Sequence, residues 1–233
     1  MKSSKLLTLT AGALLCSNAY AVDYNFYGSI RFAAESVSPD IGLSSYSSWR
    51  DAYSRIGVRA SHKLNDSTTA FATFELPFDI PNKAVQDPWN QSEDIRVAKA
   101  GIKGDFGNLS IGQMWMPYYN AIAYPVDMFS TYYSGFATYT TFRKGDTLSY
   151  YSPSLGNLSF GAAYSSENGA ADSNGDADDR LQFTASYGMD NLTLSAGIDN
   201  LGGANDASIL GVSMMYQVSD ALYLGAKYET HSS

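Results

Sequence analysis

The chain carries a single cysteine, two histidines and fewer basic than acidic side chains, 15 against 23. Each shortage removes a class of chemistry. Cys16 lies in the apolar stretch 6–16, preceded by Lys2 and Lys5 and followed by the small-x-small tripeptide Ala19-Tyr20-Ala21. That order of basic, apolar and small residues marks a secretory leader, too short to span a bilayer. The expected division is therefore a leader over 1–21 and a mature chain over 22–233 that starts at Val22-Asp23. A lipoprotein reading of Cys16 fits poorly, because Leu15 before it is too large for a good lipobox. With the leader gone no thiol is left, so disulfides and thiol catalysis are excluded. Without Lys2 and Lys5 there are 13 basic residues against 23 acids, a net charge near −10. An acid excess of this kind gives no reason to bind nucleic acid. Long apolar runs are also missing after the leader, and mean hydropathy is slightly negative although aromatics make up 14% of the chain. Membrane helices need such runs; transmembrane barrels do not.

What is present, from Arg180 onward, is a series of short segments that alternate apolar with small or polar residues. Leu181, Phe183, Ala185, Tyr187 and Met189 fall on one strand face, with Gln182, Thr184, Ser186 and Gly188 on the other. Leu192, Leu194, Ala196 and Ile198 oppose Thr193, Ser195, Gly197 and Asp199 in the same way. The pattern returns in Leu210, Val212, Met214, Tyr216 and Val218, and again in Leu222, Leu224, Ala226 and Tyr228. Successive strand side chains point to opposite faces, so each segment has one apolar and one wet face. A soluble sandwich also alternates, but strand after strand with Gly, Ser and Thr on the wet side describes a water-filled barrel turned toward lipid. The fold class expected is all-β, a transmembrane antiparallel barrel.

Eleven strands are expected. The first covers 24–35, followed by a surface loop to about Asp51 and a second strand over 53–63. Asn65-Asp66-Ser67 turns into a third over 68–76, and a loop with Pro77, Pro81 and Pro88 leads to a fourth over 95–103. Gly104-Asp105-Phe106-Gly107 joins it to a fifth over 108–113. The segment 114–146 is then too long for an ordinary connection and too aromatic for disorder. It is expected to fold into the barrel interior. Strands over 147–151 and 157–165 precede an acidic loop, 167–179, with Asp172, Asp176, Asp178 and Asp179. No flanking helix or closing glutamate completes a calcium loop there, so a solvated loop is expected and no metal site.

No catalytic constellation stands out. His62 lies on the apolar register of its strand and His231 at the chain's end, whereas a barrel hydrolase gathers His, Ser and a carboxylate or amide in one site. The arginines carry more information. Arg55 and Arg59 oppose Ile56, Val58 and Ala60, and Arg31 opposes Ile30 and Phe32, so all three should point into the lumen. Arg96 opens the fourth strand and Arg143 stands just before the sixth. Arginine on a lipid face costs about 2–4 kcal/mol at mid-membrane. A single arginine fits a headgroup girdle; several on neighbouring strands make a basic wall. Asp127, in Tyr124-Pro125-Val126-Asp127-Met128, would face that wall from the inward loop, unless it only caps a turn. Glu75, inward beside Thr73 and Phe71, would hold the arginine row.

These residues resemble the general diffusion porins of Gram-negative bacteria. Matches run in family order: Tyr27-Gly28, Tyr53-Ser54-Arg55-Ile56-Gly57, Ile95-Arg96-Val97-Ala98 with Ala100-Gly101-Ile102-Lys103, then residues 106–113, and Tyr150-Tyr151-Ser152-Pro153 followed by Gly156 and Phe160-Gly161. The resemblance implies a homotrimer of sixteen-stranded barrels in the outer membrane, with the third loop folded into the pore. It also implies passive diffusion of small hydrophilic solutes and ions, with no cofactor and no catalysis. On it, Arg55, Arg96 and Arg143 occupy eyelet arginine positions, Asp127 an acidic position of the constriction loop, and Glu75 an acid within the basic cluster. Ser29 stands where some relatives carry a lysine and Gln113 where an arginine is common, so ion selectivity does not transfer. Single-chain bacterial barrels close with even strand numbers, so about eleven strands read as a C-terminally truncated member whose sheet does not close. The rival readings are a plugged barrel whose loops bind a partner, and a barrel phospholipase.

Overall fold

The computed structural model describes residues 22–40, 42, 44–85, 95–129, 137–166, 179–202 and 207–232. The expected leader and nearly all of the acidic loop after Ser166 lie outside the described residues. Among the described residues there are thirteen strands, two more than expected. They are β1 (Asp23–Ser29), β2 (Phe32–Val37), β3 (Tyr46–Asp51), β4 (Arg55–Lys63), β5 (Thr68–Pro77), β6 (Val97–Gly104) and β7 (Gly107–Trp115). Then follow β8 (Arg143–Tyr151), β9 (Leu158–Ser165), β10 (Arg180–Met189), β11 (Leu192–Leu201), β12 (Ser208–Ser219) and β13 (Leu222–Ser232). Eleven of them form one antiparallel sheet in the order β1-β4-β5-β6-β7-β8-β9-β10-β11-β12-β13, and β2 pairs only with β3. Among the described residues β1 and β13 are the two edges, and the sheet is not closed.

The first strand is shorter than its alternation suggested. It leaves the sheet after Ser29, paired with Arg55, and continues as the separate β2–β3 hairpin. A buried corner enforces the break: the Ser54 N–H donates to Asp51 Oδ1 at 2.8 Å, and Tyr53 takes a left-handed φ of 68°. The long loop is shorter as well. A bulge between Gly112 and Met114 lets pairing resume as Met114 with Lys144 and Trp115 with Arg143, so the loop runs from 116 to 142. Gly112 itself sits at φ +124°, beyond the ordinary range of a side-chain-bearing residue.

Strand direction sorts the connections by rim. Turns 64–67, 105–106, 190–191 and 220–221 and the link 152–157 lie at one rim, and the strand ends that flank the hairpin and the longer connections lie at the other. The two faces differ as sharply. Leu181, Phe183, Leu194, Leu210, Val212, Leu224 and Tyr228 are exposed on the outer face, which suits acyl chains. Thr147, Ser149, Gln182, Ser195, Asp199 and Ser213 are buried on the inner face. What buries them is the loop after β7.

The described residues of that loop, 116–129 and 137–142, lie along the inner face of β9–β13. A π-helical turn, Tyr119–Ala123, runs into a single 3-10 turn, Tyr124–Val126. Met116, Tyr119 and Ala123 pack with Ala163 of β9, and Tyr118 and Ile122 pack with Ile209 of β12. Burying an aliphatic or methionine side chain in this way contributes about 1.5–3 kcal/mol. The wall makes room with glycine. A Cβ on Gly211 would lie 2.2 Å from the Tyr118 hydroxyl, and one on Gly225 would lie 2.0 Å from the Pro125 carbonyl oxygen. Polar anchors complete the docking: Ser213 Oγ donates to the Ala121 carbonyl at 2.6 Å, and Tyr223 OH to the Pro125 carbonyl at 2.8 Å. Gln182 Oε1 accepts the Tyr118 N–H at 2.9 Å.

Candidate functional site

Cross-strand register assembles the basic wall on the β1–β8 side of the inner face. Arg55 pairs with Ser29 and Pro77, and Arg59 with Asn25 and Thr73, so both share a face with Tyr27 and Glu75. The Arg59 guanidinium lies 4.1 Å over the Tyr27 ring, a cation–π contact that holds it flat. Tyr27 OH donates to Glu75 Oε2 at 2.9 Å, and Arg96 Nε donates to Glu75 Oε1 at 2.9 Å. Arg96 reaches Glu75 because it precedes β6 at a bend, its N–H bonded to the Glu75 carbonyl at 3.0 Å. Inside β6 its register would be that of Ala98, Ala100 and Ile102, away from the lumen.

Arg31 occupies the gap between β1 and β2, not the continuous strand the alternation suggested. Its Nε donates to Ser29 Oγ at 2.8 Å and its backbone N–H to Ser54 Oγ at 2.9 Å. Arg55 stands within electrostatic reach of Arg31, Arg96 and Glu75. Four of the named residues therefore form one group at the long-loop rim of the wall. Arg143 starts β8, and its guanidinium lies 4.6 Å over the Trp115 ring, with that of Arg96 at 5.9 Å over the same indole.

Asp127 joins this group through aromatic rings. It ends the 3-10 turn, its N–H bonded to the Tyr124 carbonyl at 3.1 Å, so it does cap a turn. Its Oδ2 also accepts the Tyr119 hydroxyl at 2.5 Å. Tyr119 in turn stacks on Trp115 at 4.7 Å, which carries Arg143 and Arg96 beside it. Loop acid and wall bases are thus positioned by one connected set of side chains. Burial, and then the bond to Asp127, pushes the Tyr119 phenol well above its ordinary value, so it remains a donor.

Two ion pairs on the opposite part of the inner face were not anticipated. Arg180 and Asp199 lie 3.5 Å apart, almost wholly buried, and Thr140 of the loop donates to Asp199 at 2.7 Å. Lys227 pairs with Glu229, which also accepts from Thr138 at 2.8 Å. Both tie down the returning arm of the loop. Their inward register was readable from the alternation, and so was the placement of Lys227 and Glu229 two residues apart on one strand, but the Arg180–Asp199 partnership needed the strand pairing. Lys99, inward on β6 and opposite Thr73, was missed for the same reason. His62 and His231 lie at opposite rims, on β4 and β13. No group of metal-ligating side chains occurs among the described residues.

An antiparallel sheet with an acyl-compatible outer face, a charged inner face and a loop laid along that inner face is the wall of an outer-membrane β-barrel protein. The family model for Gram-negative porins matches residues 8–233, and the chain belongs to that family. No curated protein matches in sequence. Among solved structures, OmpF of Salmonella typhi in complex with daunomycin aligns at a TM-score of 0.71 and 23% identity, over 91% of this chain and 66% of that one. The anion-selective porin of Comamonas acidovorans aligns at 0.56 and 16% identity, over 91% and 79%. OmpT, an outer membrane protein of Vibrio cholerae, gives 0.62 and 16%, over 93% and 66%. These likenesses carry the fold. The chain thus spans about two-thirds of the length of two of these three structures.

Proposed function

We propose that the protein forms a water-filled outer-membrane channel for passive diffusion of small hydrophilic solutes and ions, with Arg31, Arg55, Arg59, Arg96 and Arg143 as one side of its constriction and Asp127 as the other. Glu75 fixes the basic side by binding Arg96 and Tyr27. The observation that carries this reading is the loop segment 116–129 laid along the inner face, which brings Asp127 to the rings beside Arg96 and Arg143. Opposed charges across an aqueous gap set up a transverse field that orients polar solutes and weights ions by sign. Family membership supports this reading over a plugged barrel and over a barrel enzyme, and it supports a homotrimer embedded in outer-membrane lipid.

The test is planar-bilayer recording of protein extracted from its native outer membrane. Conductance steps grouped in threes are expected, with ion preference altered by Arg55→Ala and Arg96→Ala. Silence from folded, inserted protein would end the diffusion-channel reading, and steps unmoved by either substitution would take the constriction away from this wall.

A further inference from the structure

We propose that the inner face of β4–β6 carries an anion track that leads from the constriction toward the short-turn rim, which makes the channel prefer small oxyanions bearing phosphate or carboxylate. The inference deepens the diffusion-channel reading and rests on it. Arg55, Arg59 and Lys63 recur every fourth residue on β4, so they share the inner face. Register then adds a second rail. Arg59 pairs with Thr73 and Thr73 with Lys99; Lys63 pairs with Thr69 and Thr69 with Lys103. The result is two rungs, Arg59-Thr73-Lys99 and Lys63-Thr69-Lys103, each a hydroxyl between two cations. A hydroxyl that donates and flanking charges that attract are what a small oxyanion needs.

Spacing allows hand-over between rungs. Cations within a rung sit two strands apart, about 9–10 Å, and successive rungs are four residues apart, about 13 Å. The Debye length is about 10 Å at 0.1 M salt, so each rung's field reaches toward the next. Arg59 and Lys99 already lie within each other's electrostatic range. Asp23 of β1, opposite Ser61, shares the inner face at the short-turn end, and the other four acids of that face are engaged. Glu75 binds Arg96 and Tyr27, Asp199 binds Arg180 and Thr140, Glu229 binds Lys227 and Thr138, and Asp127 binds Tyr119. Among the described residues Arg59, Lys63, Lys99 and Lys103 have no ion-pair partner. A protein whose net charge is negative thus presents positive charge along this part of its lumen.

The experiment measures reversal potential across a potassium chloride gradient, and then a potassium phosphate gradient, for the protein from its native outer membrane. The unmodified channel is expected to favour the anion at about 0.1 M and to lose that preference near 1 M, where screening shortens to about 3 Å. Replacing Lys63, Lys99 and Lys103 together by Gln should lower the anion-over-cation permeability ratio at least about threefold, and replacing them by Arg should restore it. Conducting channels that favour cations at low salt, or whose ratio ignores the Gln changes, would overturn the track and leave the channel standing. Inserted but silent protein would overturn the channel and the track together. Salt dependence is read on the unmodified protein, so a variant that fails to insert does not void the test.

Discussion

Glu75 on β5 and Arg96 before β6 meet at 2.9 Å with 9% and 3% of their side chains exposed. Tyr27 holds the other carboxylate oxygen, so both oxygens of the acid are engaged and the guanidinium is fixed at the mouth of the wall. Removing one partner of a buried pair costs about 3–5 kcal/mol, because a charge is left without compensation. Glu75→Gln should therefore lower the temperature at which the folded form is lost in heated detergent gels. The pair Glu75→Leu with Arg96→Met should recover most of that loss, since neither charge then remains. A gel shift unchanged in Glu75→Gln would mean that water already solvates the pair.

Loop docking depends on missing side chains in the wall. Gly211→Val puts carbon where the Tyr118 hydroxyl and Ile122 lie, and overpacking of this kind costs about 1–3 kcal/mol. The loop has nowhere to go but away from β12 and into the lumen. Smaller conductance steps with added current noise are expected in bilayer recordings, together with earlier thermal unfolding. A valine variant with steps of normal size and normal stability would show that the loop is not seated on Gly211.

The strand faces from β10 to β13 were legible in the sequence because lipid on one side and the loop on the other impose opposite chemistry at every second residue. The first strand misled for the same reason. Ile30 and Phe32 continue the alternation through the point where Asp51 and Ser54 turn the chain out of the sheet, and a hairpin alternates like a barrel strand. Arg96 reaches Glu75 by a bend before β6 and not by strand parity. Strand ends at the long loop were misjudged because the bulge at Gly112 shifts parity, so pairing of Trp115 with Arg143 leaves no periodic trace. The partnership of Arg180 with Asp199 crosses from β10 to β11, which register alone reveals, whereas Lys227 and Glu229 are two residues apart on β13.

Alkaline pH offers a test of the aromatic anchors. Burial raises the Tyr118 and Tyr119 phenols above their ordinary value, and the acids beside them, Glu229 and Asp127, raise them further. The sign follows from the higher affinity for the proton in the folded state. Their stabilisation is complete below the unfolded value of about 10 and declines as pH rises above it toward the folded values. Thermal stability should be insensitive to these groups between about pH 7 and 9 and fall above about pH 10, and Tyr119→Phe should reduce the fall. An alkaline decline identical in the Phe variant would assign it to other groups.

Asp127 presents charge and accepts one defined donor, and the two roles separate experimentally. Asp127→Asn removes the negative charge of the loop, so the reversal potential should move toward the anion side. Tyr119→Phe keeps the charge but frees the carboxylate from the phenol, at a cost of about 1.5–3 kcal/mol for a hydrogen bond to a charged group. Its main effect should be on the stability of loop docking and on the scatter of conductance levels, with a smaller change in selectivity. The double variant should fall short of the summed stability losses, because the second change removes an interaction already broken. Additive losses would mean that the 2.5 Å contact between Tyr119 and Asp127 carries no coupling, and Asp127 would then be oriented by its turn alone.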